Sequence, residues 1–238
     1  GEVVRADSWQ VYCYMDIGTA KPTPESRALI PHHLIDIIAP DQDFSLAIYQ
    51  KMSYQVIEDI HQRGKIPLLV GGSGLYVWSV VEGWKIPPVP PNSELRQRLM
   101  ERAVREGSST LHRELQDLDP TAAHEIDHRN VRRVVRAIEV CRKGEGTFSQ
   151  LRTKQQPPFK TLLIGLTAER QELYHRIDAR IDAMIQEGLV EEVRGLAEMG
   201  YDLGLPSMSG IGYRQIGKVL RGEPALPTAV QQIKFETH

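Results

Sequence analysis

The sequence lacks several features that would place it in a special class. Its 238 residues include two cysteines, Cys13 and Cys141, so no disulfide framework is available and a reducing compartment suits the chain. No apolar run is long enough to cross a membrane, and no signal peptide is visible. The net charge is −2, so a nucleic-acid ligand would need a local cationic surface. These absences predict a cytoplasmic protein that does not associate with membranes.

What is present is an alternation of apolar runs and amphipathic helices, which is typical of α/β proteins. Residues 2–6, 33–38 and 66–72 are predicted strands, and residues 45–64 carry a helical pattern that ends at Gly64. The run Thr161–Thr167 is a fourth predicted strand. Because the third run is apolar on both faces, it should be central in a parallel sheet.

A helical region separates the third and fourth predicted strands. It follows a proline-rich stretch, residues 85–92. The predicted helices are 93–106, 110–118, 121–126 and 130–143. We therefore expect an α/β core formed by residues 1–91 and 158–238, with residues 92–157 as a helical insertion.

A glycine-rich turn, Gly71–Gly74, lies between a predicted strand and a predicted helix. Such a turn allows close backbone approach and presents N–H groups to an anion. It is equally common as a structural turn. The full phosphate-loop pattern, Gly-x-x-x-x-Gly-Lys-Ser/Thr, appears nowhere in the chain.

The helix predicted over residues 130–143 has a basic ridge opposite an apolar stripe. Arg132, Arg133 and Arg136 fall on one side, and few acidic residues balance them. The apolar side consists of Val131, Val134, Val135, Ile138 and Cys141. A solvated surface is the simple interpretation, and binding of a phosphate backbone is the alternative.

Three other stretches could bind a ligand or a metal. Arg176 and Arg180 share a helical face and could clamp a diphosphate, although surface arginines are the plainer interpretation. The stretch Gly210–Gly217 places Tyr213, Arg214 and Gln215 at a predicted helix start.

The third stretch, His124–His128, matches the His-Glu-x-x-His pattern of zinc peptidases. Its charged surroundings, and a turn predicted near His128, favour a solvated helix end.

Six stretches, in this order, resemble the tRNA dimethylallyltransferase (isopentenyltransferase) family. They are ADSWQVYCYMDIGTAKP (6–22), PHHLIDI (31–37), VGGSGLY (70–76), NVRRVVRAIEV (130–140), MIQEGLVEEVRGL (184–196) and GIGYRQI (210–216). The resemblance covers nearly the whole chain. It implies a P-loop-kinase-like parallel-sheet core with a helical insertion domain.

The resemblance also implies a reaction, in which dimethylallyl diphosphate donates its prenyl group to N6 of the adenosine 3′ of a tRNA anticodon. Asp7 would contact the adenine and act as general base, and Ser73 would lie near the transfer site. Arg180, and less strongly Arg176, would bind the diphosphate. The implied tRNA contacts are Asp7, Ser8, Trp9, Gln10, Arg96, Arg132, Arg133, Arg136, Tyr213, Arg214 and Gln215. The acceptor would be the anticodon stem–loop, bound by a monomeric, nucleotide-binding enzyme.

The chain departs from the family pattern at several points. Trp9 stands where the family usually has Arg, Ser73 where Thr is usual, and Arg5 where a small residue is common. The family's phosphate loop, with its lysine and its Mg²⁺-binding hydroxyl, and the basic segment that follows the last helix are not in this sequence. We therefore expect no metal ligand within these residues, Mg²⁺ at the absent loop, ATP binding at that loop, and no turnover by the chain as given.

Four other functions stay open at this point. A free adenine-nucleotide isopentenyltransferase or a P-loop kinase of small metabolites would share the core. A zinc peptidase would bind metal at His124 and His128. A non-catalytic RNA-binding module would hold the anticodon arm without transfer.

Overall fold

The computed structural model describes residues 1–143 and 146–238, and the chain divides into two compact units. The first unit contains Gly1–Val77 and Lys160–His238, and the second contains Trp78–Phe159. The predicted insertion, 92–157, falls within the limits of the second unit.

The first unit begins as an α/β arrangement around a small parallel sheet. Its elements are β1 (Glu2–Arg5), α1 (Pro24–Leu29), β2 (His32–His33), α2 (Leu46–Gln62), β3 (Pro67–Val70) and the start of α3 (Gly74–Val81). The described strands lie in the order β2-β1-β3, with Val3 opposite His32 on one side and Leu68 on the other. The loops after β1 and β3 therefore leave the same edge of the sheet, the edge where α/β proteins bind ligands.

Helix α2 shows why the local sequence folds as it does. Ser45 caps its N-terminus by accepting a hydrogen bond from the Ile48 amide, and Gly64, with a φ of 68°, follows its end. Tyr49 and Ile60 on its inner face are buried, and the Tyr49 hydroxyl donates to the Arg5 carbonyl at 3.0 Å. The helix thus packs against the strand that leads into Asp7.

The remainder of the first unit is helical. It consists of α9 (Arg170–Gln186), α10 (Leu189–Glu198), a 3₁₀ turn (Pro206–Ser209), α11 (Tyr213–Leu220) and α12 (Leu226–Thr237). Their buried side chains, including Ile181, Leu196 and Ile216, form an apolar interior.

The second unit is helical after α3. Its helices are α4 (Ser93–Glu106), α5 (Ser108–Leu118), α6 (Pro120–Glu125), α7 (Val131–Arg142) and α8 (Phe148–Leu151). Leu111, Leu115 and Ile138 are at the centre of its core and have no exposed surface. The four helices predicted here are confirmed with boundary shifts of no more than two residues.

Three strand predictions require correction. The third predicted strand was expected to be central, but β3 lies at the edge of the described sheet, next to β1, and its side chains Leu68 and Val70 are exposed. Residues 161–167 have no regular secondary structure, and Leu162 and Leu166 are 84% and 96% exposed. An apolar run becomes a strand only when a neighbour completes its hydrogen bonds, and no described strand pairs with it. The run predicted over 33–38 is a strand only at His32–His33, because Leu34 and Asp36 adopt positive φ values of 63° and 53°.

Within the described residues, every helix is too short or too polar to span a lipid bilayer.

Candidate active site

Asp7 opens a tight turn directly after β1. Its Oδ1 accepts hydrogen bonds from the Trp9 amide at 2.9 Å and the Gln10 amide at 3.2 Å. The side chain is half-buried, and nothing in the described part of the chain hydrogen-bonds to Oδ2. The turn therefore fixes the carboxylate through one oxygen and leaves the other available to accept a proton.

The glycine-rich turn after β3 lies against this Asp7 turn. The Ser8 amide donates to Ser73 Oγ at 3.0 Å, and Ser73 Oγ donates to Ser8 Oγ at 3.2 Å. Gly71 makes this approach possible, because a Cβ there would be 2.1 Å from the Ala6 carbonyl oxygen. The structure thus brings the predicted residues Asp7, Ser8 and Ser73 together at the carboxyl edge of the sheet.

A cavity of about 340 Å³ adjoins Asp7. This volume is in the range of small-molecule sites. The residues that line it include Asp7, Trp9, Gly18, Thr19, Arg180, Met184, Tyr213 and Arg214. The Asp7 carboxylate and the Arg180 guanidinium, both predicted from sequence, therefore line the same cavity, together with apolar side chains.

Arg180 differs from Arg176 in what its guanidinium contacts. Arg180 is exposed on α9, lines the cavity, and has no ion-pair partner among residues 1–143 and 146–238. Arg176, one turn earlier, donates to Glu172 at 2.7 Å and is not part of the cavity lining. Of the two, Arg180 is the cation available to an anionic ligand.

Three predicted tRNA contacts at the start of α11 already have partners in the chain. The buried Tyr213 hydroxyl donates to Glu192 at 2.5 Å, and burial followed by the Glu192 charge raises the pKa of Tyr213 far above its usual value. Arg214 forms an ion pair with Glu236, and the buried Gln215 also donates to Glu236. Tyr213 and Arg214 line the cavity while their polar ends are bound to other residues of the chain, and Gln215 is not part of the lining.

Trp9 and Gln10 are similarly engaged. Trp9 Nε1 donates to the Ser207 carbonyl at 2.9 Å. Gln10 is buried; it accepts from Arg5 and donates to the carbonyls of Thr19 and Ala20. Gln10 thus joins the Asp7 turn to the loop containing Gly18 and Thr19. Sequence reasoning did not single out this loop as a cavity wall, because only its tertiary contacts reveal it.

The predicted basic residues of the second unit separate into two kinds. Arg96 and Arg136 both donate to the buried Glu139, at 2.8 Å and 2.6 Å. Arg132 is exposed and Arg133 half-buried, and neither has an ion-pair partner in the described residues. Burial, followed by the nearby charge of Arg152, lowers the pKa of Arg133. Arg132 and Arg133 are therefore the members of the ridge that could bind a phosphate.

The zinc-peptidase alternative fails on local geometry. Helix α6 ends at Glu125, so His124 and His128 do not share a helical face. His128 instead lies beside the Ser108 hydroxyl at 3.2 Å. In the described parts of the chain, no three histidine, cysteine, aspartate or glutamate side chains are grouped to hold a metal ion.

The fold and the site define a class of protein, an α/β protein whose cavity at the carboxyl end of a parallel sheet is lined by a carboxylate, a guanidinium and apolar side chains. Comparison with known proteins gives the family. A model of the family described as IPP transferase matches residues 10–238. The tRNA dimethylallyltransferase of Dehalococcoides mccartyi is 51% identical over 236 residues, which are 99% of this chain and 73% of that protein. That of Thermomicrobium roseum is 50% identical over 238 residues, or 100% of this chain and 72% of that protein.

A solved structure agrees with these relatives. The full-length tRNA isopentenylpyrophosphate transferase from Bacillus halodurans has a TM-score of 0.69 and 38% identity, and the match covers 99% of this chain and 74% of that one. The chain therefore belongs to the IPP transferase family. The family resemblance and the P-loop-like α/β fold class predicted from sequence are confirmed, and the protein is a transferase.

Proposed function

We propose that this protein transfers a dimethylallyl group from dimethylallyl diphosphate to N6 of the adenosine 3′ of a tRNA anticodon. The observation that carries the proposal is the cavity lined by both Asp7 and Arg180. The names of the relatives, tRNA dimethylallyltransferase and tRNA isopentenylpyrophosphate transferase, support tRNA as the acceptor.

The chemistry requires a base and an anion site in one cavity. The bond from N6 to C1 of the prenyl group forms as the bond from C1 to the diphosphate oxygen breaks, and the diphosphate leaves with the electron pair. Asp7 Oδ2 would accept the proton that N6 loses, while Oδ1 stays fixed by the turn. Arg180 would neutralise charge on the leaving diphosphate. The adenine must leave its stack to reach the cavity, which costs least in an unpaired loop.

Arg132 and Arg133 of the second unit are the cations that we assign to the RNA backbone. Neither forms an ion pair within the described part of the chain, although the charge of Glu125 also acts on Arg133. Arg96 and Arg136, which neutralise Glu139, would contribute less. We also propose a monomeric protein of the cytoplasm, consistent with a tRNA substrate and with the low cysteine content.

We propose that Mg²⁺ accompanies the diphosphate. Protein sites for Mg²⁺ commonly combine one or two carboxylates with substrate phosphates. The family resemblance implies that the ion is held at the phosphate loop, whose pattern does not occur in this sequence. When bound, the ion would supply further neutralisation of the diphosphate. The P-loop-like fold likewise supports our proposal that the protein binds a nucleotide.

The test is a transfer assay on the protein expressed from its complete reading frame, with an anticodon stem–loop RNA, labelled dimethylallyl diphosphate and Mg²⁺. We expect label at the adenosine 3′ of the anticodon. Asp7→Asn preserves the turn but removes the base, so kcat should fall by about 10²- to 10⁴-fold. The exposed Asp41→Asn is the matched control and should change kcat by less than about twofold.

Each other outcome would favour a different function. Label in free AMP but not in RNA would indicate a nucleotide-specific transferase. Phosphoryl transfer from ATP to a small metabolite would indicate a kinase. RNA binding without any transfer would contradict the proposal and indicate a binding module.

A further inference from the structure

The Glu192 carboxylate accepts hydrogen bonds from four groups of the first unit. Its Oε2 accepts from the amides of Asp16 at 2.8 Å and Ile17 at 2.7 Å. Its Oε1 accepts from the Gly18 amide at 3.1 Å and from the Tyr213 hydroxyl at 2.5 Å. Glu192 thus joins α10, the loop that follows the Asp7 turn, and the first residue of α11.

Three consecutive backbone N–H groups around one anion form a nest, a concave arrangement that proteins use to bind phosphates and other anions. Here the anion is supplied by the chain itself. The position of Glu192 in the first turn of α10 adds a favourable interaction with the helix dipole. Because the nest is filled, its N–H groups are not available to a diphosphate, and Arg180 remains the cation for that ligand.

The loop held in this way is a wall of the cavity. Gly18 and Thr19 both line it. Gly18 packs so closely on the Tyr213 ring that a Cβ would be 2.5 Å from a ring carbon, so the loop has little freedom beside Tyr213. A shift of the loop would therefore change the shape of the cavity directly.

The same loop is connected to the proposed base. The Thr19 and Ala20 carbonyls accept from Gln10 Nε2 at 2.9 Å and 3.2 Å. The Gln10 amide in turn donates to Asp7 Oδ1 at 3.2 Å. A continuous set of hydrogen bonds and short backbone segments therefore leads from Glu192 to Asp7.

We propose that Glu192 is a positioning residue for the prenyl-donor site. It holds the Asp16–Gly18 loop as a rigid wall and, through Gln10, supports the orientation of Asp7, without contacting either substrate. This proposal rests on the function proposed above and adds a residue that determines binding of the diphosphate donor.

The test compares Glu192→Gln with Glu191→Gln in the complete protein. The amide keeps the size of the side chain but removes the charge and places an NH₂ group against backbone N–H groups. Glu191, the adjacent residue, is exposed, and among the described residues it forms an ion pair only with Arg194, at 3.5 Å, so its variant loses the same charge without touching the loop. Tyr213→Phe removes one of the four hydrogen bonds and keeps the ring.

Calorimetry with dimethylallyl diphosphate and with inorganic pyrophosphate gives Kd, and the transfer assay gives kcat and KM for donor and RNA. We expect Glu192→Gln to raise both the Kd and the KM for the donor about tenfold, corresponding to one lost charged hydrogen bond, with the KM for RNA within twofold. Tyr213→Phe should have a smaller effect in the same direction, and Glu191→Gln should have none.

Three results would overturn the proposal. A lower melting temperature with equal changes in the KM for donor and RNA would indicate a purely structural carboxylate. An unchanged Kd for the donor would show that the wall does not determine binding. If the wild-type protein transfers no prenyl group, the proposed function is wrong. The Kd values for donor and pyrophosphate then test the role of Glu192 separately. Wild-type protein that binds neither donor nor pyrophosphate would overturn both.

Discussion

At the scale of single residues, carboxylates organise both units. Glu192 holds a loop of the first unit, and Glu139 has a comparable position in the second. Glu139 is almost fully buried, and it accepts from Arg96, from Arg136 and from the Asn92 amide at 2.7 Å. The bond from the Asn92 amide links this carboxylate on α7 to the N-cap of α4. Arg136 also donates to the Val89 carbonyl, in the segment that precedes α4.

Replacing Glu139 with glutamine should destabilise the protein by about 1–3 kcal/mol at pH 7. Removing one partner of a buried ion pair costs about 3–5 kcal/mol, and the partial exposure of both arginines reduces that figure. Denaturant unfolding measures the difference. The exposed Glu101→Gln on α4, whose side chain contacts Gln97, should stay within about 0.5 kcal/mol. Equal stabilities of the two variants would show that the Glu139 contacts are energetically neutral.

The difference in stability between wild type and Glu139→Gln should depend on pH in a predictable direction. Burial opposes ionisation of Glu139, but hydrogen bonds from Arg96, the Asn92 amide and Arg136 outweigh it and hold the pKa of Glu139 below its ordinary value of 4.5. A depressed folded-state pKa contributes stability that is complete above pH 4.5 and is lost as the pH falls through the folded-state pKa. The difference between wild type and Glu139→Gln should therefore shrink below about pH 4.5 and be constant near neutrality.

At the scale of elements, the contact between β1 and β3 depends on one glycine. A Cβ on Gly71 would be 2.1 Å from the Ala6 carbonyl oxygen, whereas the neighbouring Gly72 has open space around it. We expect Gly71→Ala to destabilise the protein by about 3 kcal/mol, because the two strands must separate. Gly72→Ala should be neutral or slightly stabilising. Thermal unfolding of the two variants measures the contrast, and similar melting temperatures would show that the sheet accommodates the methyl group.

The elements also show which parts of the structure the sequence could predict. The predicted bounds of helix α4, 93–106, are confirmed, and the structure shows the local reason, since Asn92 caps its N-terminus and Gly107 follows its end. The apolar periodicity and the capping residues of a helix lie close together in sequence, so both can be recognised without knowledge of tertiary contacts. The strand predicted at 161–167 depends on a partner, which the run itself does not specify.

The candidate site likewise contains residues that the sequence predicted and residues that it did not. The resemblance to a known family predicts Asp7 and Ser73 as site residues, whereas Arg180 is already a candidate from its spacing with Arg176 on one helical face. Glu192 was missed, since its partners Asp16 and Gly18 are about 175 residues away in sequence and nothing near Glu192 indicates that it faces a loop. Likewise, the basic ridge looked uniform in sequence, and only the fold shows that Glu139 neutralises part of it.

At the scale of the whole molecule, a protein with a net charge of −2 must bind RNA through a few local cations. Each phosphate contact releases counterions, so the slope of log K against log salt reports how many cations take part. Arg132 and Arg133 are available for such contacts, whereas Arg136 donates to Glu139 and to the Val89 carbonyl. The two kinds of arginine should therefore respond differently to substitution.

We expect Arg132→Ala to weaken binding of an anticodon stem–loop RNA and to reduce the magnitude of the salt slope by about 1, with an unchanged melting temperature. Arg136→Ala should lower the melting temperature, because Glu139 loses a partner, and should leave the salt slope nearly unchanged. Binding titrations between 50 and 200 mM salt, within the usual range for such measurements, give both slopes. Identical slopes for wild type and Arg132→Ala would mean that the RNA backbone lies elsewhere. A reduced slope for Arg136→Ala would mean that RNA competes with Glu139 for this arginine.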